Sequence, residues 1–116
     1  MPSEKPVISK DAMYLLLRVD NVAAFNIKKE AGSTCELRGV NLRGLDLRGL
    51  NADGLDFSDS YFRNANLRGI DFSQANLRGA SLRGAKVAGC LFPMALTATE
   101  LQLSLEHGTR LRYTKD

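Results

Sequence analysis

"NLRGLDLRGL", residues 41–50, places an Arg-Gly pair and a leucine at the same phase of a five-residue beat. A helix returns to one face about every 3.6 residues and a strand every second residue, so neither period produces that spacing. The beat belongs to a sequence repeat, the feature that decides an architecture before any local propensity does.

Set out in fives from Cys35, the chain reads CELRG, VNLRG, LDLRG, LNADG, LDFSD, SYFRN, ANLRG, IDFSQ, ANLRG, ASLRG, AKVAG and CLFPM, twelve units without a gap. The third position is apolar throughout: Leu37, Leu42, Leu47, Ala52, Phe57, Phe62, Leu67, Phe72, Leu77, Leu82, Val87 and Phe92. The first is small or apolar, the second mostly Asn or Asp, the fourth mostly Arg or Ser, and the fifth usually Gly. Two positions in five are therefore expected to face inward and three to face water, with Asn, Asp and Gly supplying turns.

The pattern closely resembles that of the pentapeptide-repeat family, A-[D/N]-L-x-x, nearly literal in "ANLRG" at 65–69 and again at 75–79. The resemblance implies an all-β solenoid, a right-handed quadrilateral β-helix in which four units make one square coil, so twelve make about three coils. Residues twenty apart would then stack at ~4.8 Å, the spacing of paired strands. Cys35 and Cys90 fall at inward first positions on different sides and in different coils, which predicts buried free thiols and no disulfide.

The solenoid would occupy residues 35–94, between an N-terminal extension, 1–34, and a C-terminal segment, 95–116. A short stack of coils exposes backbone and apolar side chains at both ends, so both flanks are expected to act as caps. "SKDAMYLLLRVDNVAAFNIKKEAGS" reads as two short helices, capped by Ser9 or Asp11 and by Asp20 or Asn21, with Gly32 as the stop. Met13, Leu16, Leu17, Val22 and Phe25 would lie on the first coil. A helix-turn-helix DNA reader is the alternative, disfavoured because the helices are short and their apolar faces are needed as a lid.

At the other end "TATELQLSLEHG" combines a capping-box pattern, Thr97 with Glu100, with strand-like alternation of Leu101, Leu103 and Leu105. The expectation is a helix ended by Gly108, with Ala98, Leu101 and Leu105 on one side and Leu96 and Leu103 on the other. Leu96 and Leu103 would meet a second copy of the chain, unless both sides are buried within one copy. Several pentapeptide-repeat proteins dimerise through C-terminal elements, which the resemblance extends to this segment as an expectation of a homodimer. The tail "TRLRYTKD" suits an edge strand with solvated arginines and a frayed end.

Seven of the ten arginines lie in the repeat, all at fourth positions. The second side carries Arg43, Arg63 and Arg83 without an acid, and the third carries Arg48, Arg68 and Lys86 against Asp46. Acids concentrate on the first side, where Glu36, Asp56 and Asp59 face Arg38 and Arg78, and on the fourth, with Asp53 and Asp71. The basic sides serve either as a solvated face or as a surface for an anion or an acidic protein. Tyr61, an aromatic at an outward second position beside Arg63, either joins such a surface or packs over its own turns.

No nucleophile, phosphate loop, metal-ligand spacing or cofactor motif emerges, and His107 sits alone near a helix end, so an enzyme is not expected. The net charge of +3 is too small to require nucleic acid as a partner. The only early apolar run, Met13 to Leu17, is too short for a signal or membrane segment, which predicts a cytoplasmic protein. The expected role is a non-enzymatic scaffold for an unidentified protein partner, with polyanion or nucleic-acid binding through Arg43, Arg63, Arg83, Arg48 and Arg68 as the alternative. Some members of the resembled family mimic duplex DNA and act on DNA gyrase, but three coils with two basic sides depart from that pattern.

Overall fold

The structure, a computed structural model, describes residues 9–114. Among these residues are three helices, α1 (Ala12–Arg18), α2 (Val22–Glu30) and α3 (Ala98–His107). Between α2 and α3 the chain advances in five-residue steps. Six isolated parallel bridges organise these steps: Asn41 with Tyr61, Tyr61 with Ser81, Asp46 with Asn66, Asn66 with Lys86, Asp56 with Asn76, and Asp71 with Leu91. Every bridge joins second positions twenty residues apart, so successive twenty-residue courses lie side by side. Units that stack on one another form four rows, beginning at 35, 40, 45 and 50.

Among the described residues no strand extends beyond a single bridge residue. The reason is local. In ten of the twelve units the third-position carbonyl accepts from the first-position N–H of the next unit, as in Leu50 N–H to Leu47 O at 3.0 Å and Ala65 N–H to Phe62 O at 2.9 Å. In all of these turns but the one with Gln74, the third residue has positive φ, as a type II turn requires, and Gly44 meets the requirement at φ 70°. Asp59 and Asn64 occupy the equivalent place at φ 60°, tolerated because short polar side chains accept the left-handed region. With the turn taking four residues, only the second position forms a bridge, while turn residues add single bonds to the next course such as Gly44 N–H to Arg63 O at 2.8 Å.

Asn and Asp at second positions act one step ahead of the corner. Their side-chain oxygens accept from the fourth-position N–H, as in Arg43 N–H to Asn41 Oδ1 at 3.0 Å and Ser73 N–H to Asp71 Oδ1 at 2.8 Å, fixing the approach to the turn. First and third positions fill the interior: Leu42, Leu47, Phe57, Phe62, Leu67, Phe72, Leu77 and Leu82 are all fully buried. Phe57, Phe62 and Phe72 meet edge to face in the second course, with centroids 5.3 to 6.2 Å apart. Ser60 is the buried polar exception: its hydroxyl accepts from Val40 N–H at 3.4 Å and donates to Leu37 O, closing a corner that lacks the usual backbone bond.

Cys35 and Cys90 are free but half-buried, less enclosed than their first positions predict, because both lie at ends of the repeat. Cys90 Sγ donates to Leu67 O at 2.9 Å, and burial pushes both thiols up in pKa.

Both flanks cover the repeat. Asp11 caps α1 by accepting from Tyr14 N–H, and Asn21 caps α2 by accepting from Ala24 N–H. Met13, Tyr14, Leu17 and Phe25 are buried against the first course. Thr97 caps α3, and Gly108 ends it at φ 73°. Beyond α3 the tail turns back over the third course, where Leu111 is buried and exchanges backbone bonds with Gly79 and Ala80. The tail's end, Lys115 and Asp116, expected to fray, lies outside the described residues.

Candidate interaction surface

The fourth position is the second residue of each turn, so its side chain points away from the interior. Row two stacks Arg43, Arg63 and Arg83 directly, since Gly44 N–H donates to Arg63 O at 2.8 Å and Asn64 N–H to Arg83 O at 2.9 Å. All three are exposed, and none of their guanidinium groups has a partner among the described residues. At ~5 Å in water two such charges repel by about 0.8 kcal/mol, which long side chains relieve by splaying. The stem of Arg83 runs beside Gly108, where an added Cβ would sit 3.2 Å from its Cδ. At the other end Arg18 reaches Asn41 O at 3.4 Å and extends the basic column toward α1.

Row three differs. Arg48 grips Asp46 with two bonds, Nε to Oδ1 at 2.9 Å and Nη2 to Oδ2 at 2.8 Å. The hydrogen bonds from Arg48 hold the Asp46 carboxyl down to about 2. Arg38 binds Glu36 in row one through the same two nitrogens at 2.9 Å each. Arg68 and Lys86 are exposed and lack such partners among the described residues. The basic residues expected to form one surface are thus sorted: Arg43, Arg63, Arg83, Arg68 and Lys86 remain uncommitted, and Arg48 is held by its neighbour.

Tyr61 is half-buried under the tail. Arg110 donates to its hydroxyl at 2.6 Å, lies 5.3 Å from its ring centroid, and also reaches Gly79 O at 3.2 Å and Asp59 Oδ1 at 3.5 Å. Arg112 forms a two-bond pair with Glu100, and Arg78 lies 4.8 Å from the Tyr113 ring. The expectation of solvated tail arginines is corrected for Arg110, which folds back over Tyr61 and Asp59, while Arg112 stays 76% exposed beside Glu100. His107, the last residue of α3, lies 3.8 Å from Glu106.

The expected dimer contacts also separate. Leu96 is 7% exposed and belongs to the chain's own core, so it cannot serve a second copy; it precedes α3 and lies where the chain crosses the third course. Leu101 and Leu105 pack on the core, Ser104 is buried between them, and Leu103 is half-buried without being part of that packing. Two apolar residues that the sequence reading passed over are conspicuous. Leu91 is 58% exposed and Met94 fully exposed, both on the last unit of the repeat. The signal was present in Leu91, which stands at a second position where Asn or Asp is the rule.

No helix among the described residues is long and apolar enough to cross a membrane. No group of three His, Cys, Asp or Glu side chains among them is placed to hold a metal ion.

Stacked five-residue units with an apolar interior and ordered outward columns define a repeat protein. A family model described as Pentapeptide repeats matches residues 35–74 and 56–92, in eight copies. The chain belongs to the pentapeptide-repeat family, a membership consistent with a non-enzymatic repeat protein. No curated protein and no solved structure matches the chain.

Proposed function

We propose that the protein is a non-catalytic scaffold that joins proteins, and that its first partner is a second copy of itself. In this reading the four rows are the sides of a right-handed square β-helix, as the family membership and the twenty-residue bridging together support. The observation that carries the proposal is the half-covered end of the third course. α3 and the tail supply acceptors to rows one and two: Leu77 N–H meets Tyr113 Oη, Gly79 N–H meets Leu111 O, Leu82 N–H meets Ser104 Oγ and Gly84 N–H meets Leu105 O.

Among the described residues, row three has no such cover. The N–H groups of Val87 and Gly89, whose counterparts in the course above donate to Lys86 O and Ala88 O, meet no acceptor among the described residues. Beside them lie half-buried Val87 and Phe92 and exposed Leu91 and Met94. An unpaired edge next to apolar side chains is a template for association, and a two-fold axis would let the same edge serve both copies.

Light scattering across a concentration series tests this. The native chain is expected to sediment and scatter as a dimer, and the Leu91→Glu, Met94→Glu double variant as a folded monomer. A native chain that stays monomeric at high concentration would sink the reading of a second copy as partner.

A further inference from the structure

We propose that row two is a docking strip for acidic polypeptide, with Arg43, Arg63 and Arg83 as carboxylate receptors; the inference deepens the scaffold reading by naming the chemistry of a second partner. The molecule supplies its own precedent. Wherever a fourth-position arginine has an acid two residues earlier, as Arg38 has Glu36 and Arg48 has Asp46, it takes that carboxylate with Nε and Nη2 at 2.8 to 2.9 Å. This two-bond fork is the strong geometry for Arg and carboxylate. In row two the same position holds Asn41, Tyr61 and Ser81, none of which carries an acid. The three arginines share the backbone frame of Arg48 and lack its internal ligand.

Acidic protein is favoured over nucleic acid on two grounds. Single strands are held by aromatic platforms as well as cations, and the aromatic of this row, Tyr61, already has Arg110 against its ring. A duplex needs a contact area on the order of 1,000 Å², whereas three stacked residues at ~4.8 Å make a strip only about 10 Å tall. On an extended acidic chain, alternate side chains fall ~7 Å apart, within reach of long arginines on successive courses. Arg68 and Lys86 on the neighbouring row widen the strip without adding an acid.

The test is fluorescence anisotropy of labelled hexaglutamate against the full chain at low and moderate salt. Binding is expected, weakening as salt rises. Asn41→Asp installs beside Arg43 the carboxylate that Arg48 already has, in a side chain of nearly the same shape, and is expected to weaken binding about two- to fivefold. Arg43→Glu with Arg63→Glu is expected to abolish it. Lys10→Glu with Lys28→Glu, the same change in net charge at exposed sites near α1 and α2, is expected to leave most of it. Equal loss in both double variants, or tighter binding of oligothymidylate than of hexaglutamate, would overturn the proposal. Absence of peptide binding by a chain that still dimerises removes this inference and leaves the scaffold reading standing.

Discussion

The two ends of the repeat meet the same physical demand with different completeness. At the first course side chains do the capping: Tyr14 Oη donates to Asn41 O at 2.6 Å, Asn26 bridges Gly49 O and Asn51 N–H at 2.9 Å each, and Asp11 Oδ2 accepts from Glu36 N–H at 3.1 Å. At the third course a returning tail and a helix end do the work, but among the described residues their hydrogen bonds reach only two of the four rows. Buried backbone groups need partners wherever the stack stops. The difference teaches that a cap here is a set of individual hydrogen bonds placed row by row, and that a row left out is available to another molecule.

The comparison breaks most visibly in the core. Phe72 is fully buried among Phe57 and Phe62, while Phe92 stacks on it at 6.0 Å from the half-covered end. Phe72→Ala is expected to cost about 3–5 kcal/mol in urea unfolding. Phe92→Ala should cost clearly less, since its site is already open and can collapse or hydrate. Equal costs would mean that the far end is as tightly closed as the middle.

A smaller effect separates the caps themselves. Ser104 is fully buried and its Oγ takes the Leu82 N–H at 2.9 Å, so Ser104→Ala leaves a buried donor unpaired and should cost about 1–3 kcal/mol. Asn26→Ala removes two bonds at a half-buried site that water can reach, and about 1 kcal/mol or less is expected. Urea midpoints of the two variants decide the order. A costlier Asn26→Ala would mean that burial of the capping side chain does not set what each cap is worth.

Much of the repeat was legible in the sequence because its signal is local and recurs. Apolar third positions predicted the buried column, glycines predicted the corners, and Thr97 and Gly108 bracketed α3. The candidate surface was only partly legible. The register placed Arg43, Arg63 and Arg83 together, since stacking follows from counting by twenty. It could not show that Arg110 covers Tyr61, because that contact joins residues 49 apart through a tail with no repeat. Leu96 was misread for a related reason: it lies before α3, where helical periodicity does not apply, and the chain's path over the third course turns it inward.

Asp46 gives the smallest effect on stability and the sharpest on the surface. Its folded carboxyl is held at about 2, below the ordinary 3.8, by the hydrogen bonds from Arg48. Any stabilisation from the pair is therefore present above the ordinary value and fades as pH falls toward the folded one. Both groups are exposed and the pair is screened, so Asp46→Asn should barely move the unfolding midpoint at neutral pH. The same change releases Arg48 from its internal carboxylate beside Arg43, adding a receptor next to row two. Hexaglutamate should then bind Asp46→Asn more tightly than the native chain, while Asn41→Asp binds it more weakly. If both variants shift binding in the same direction, an internal carboxylate is not what distinguishes the arginines of row two from those of row three.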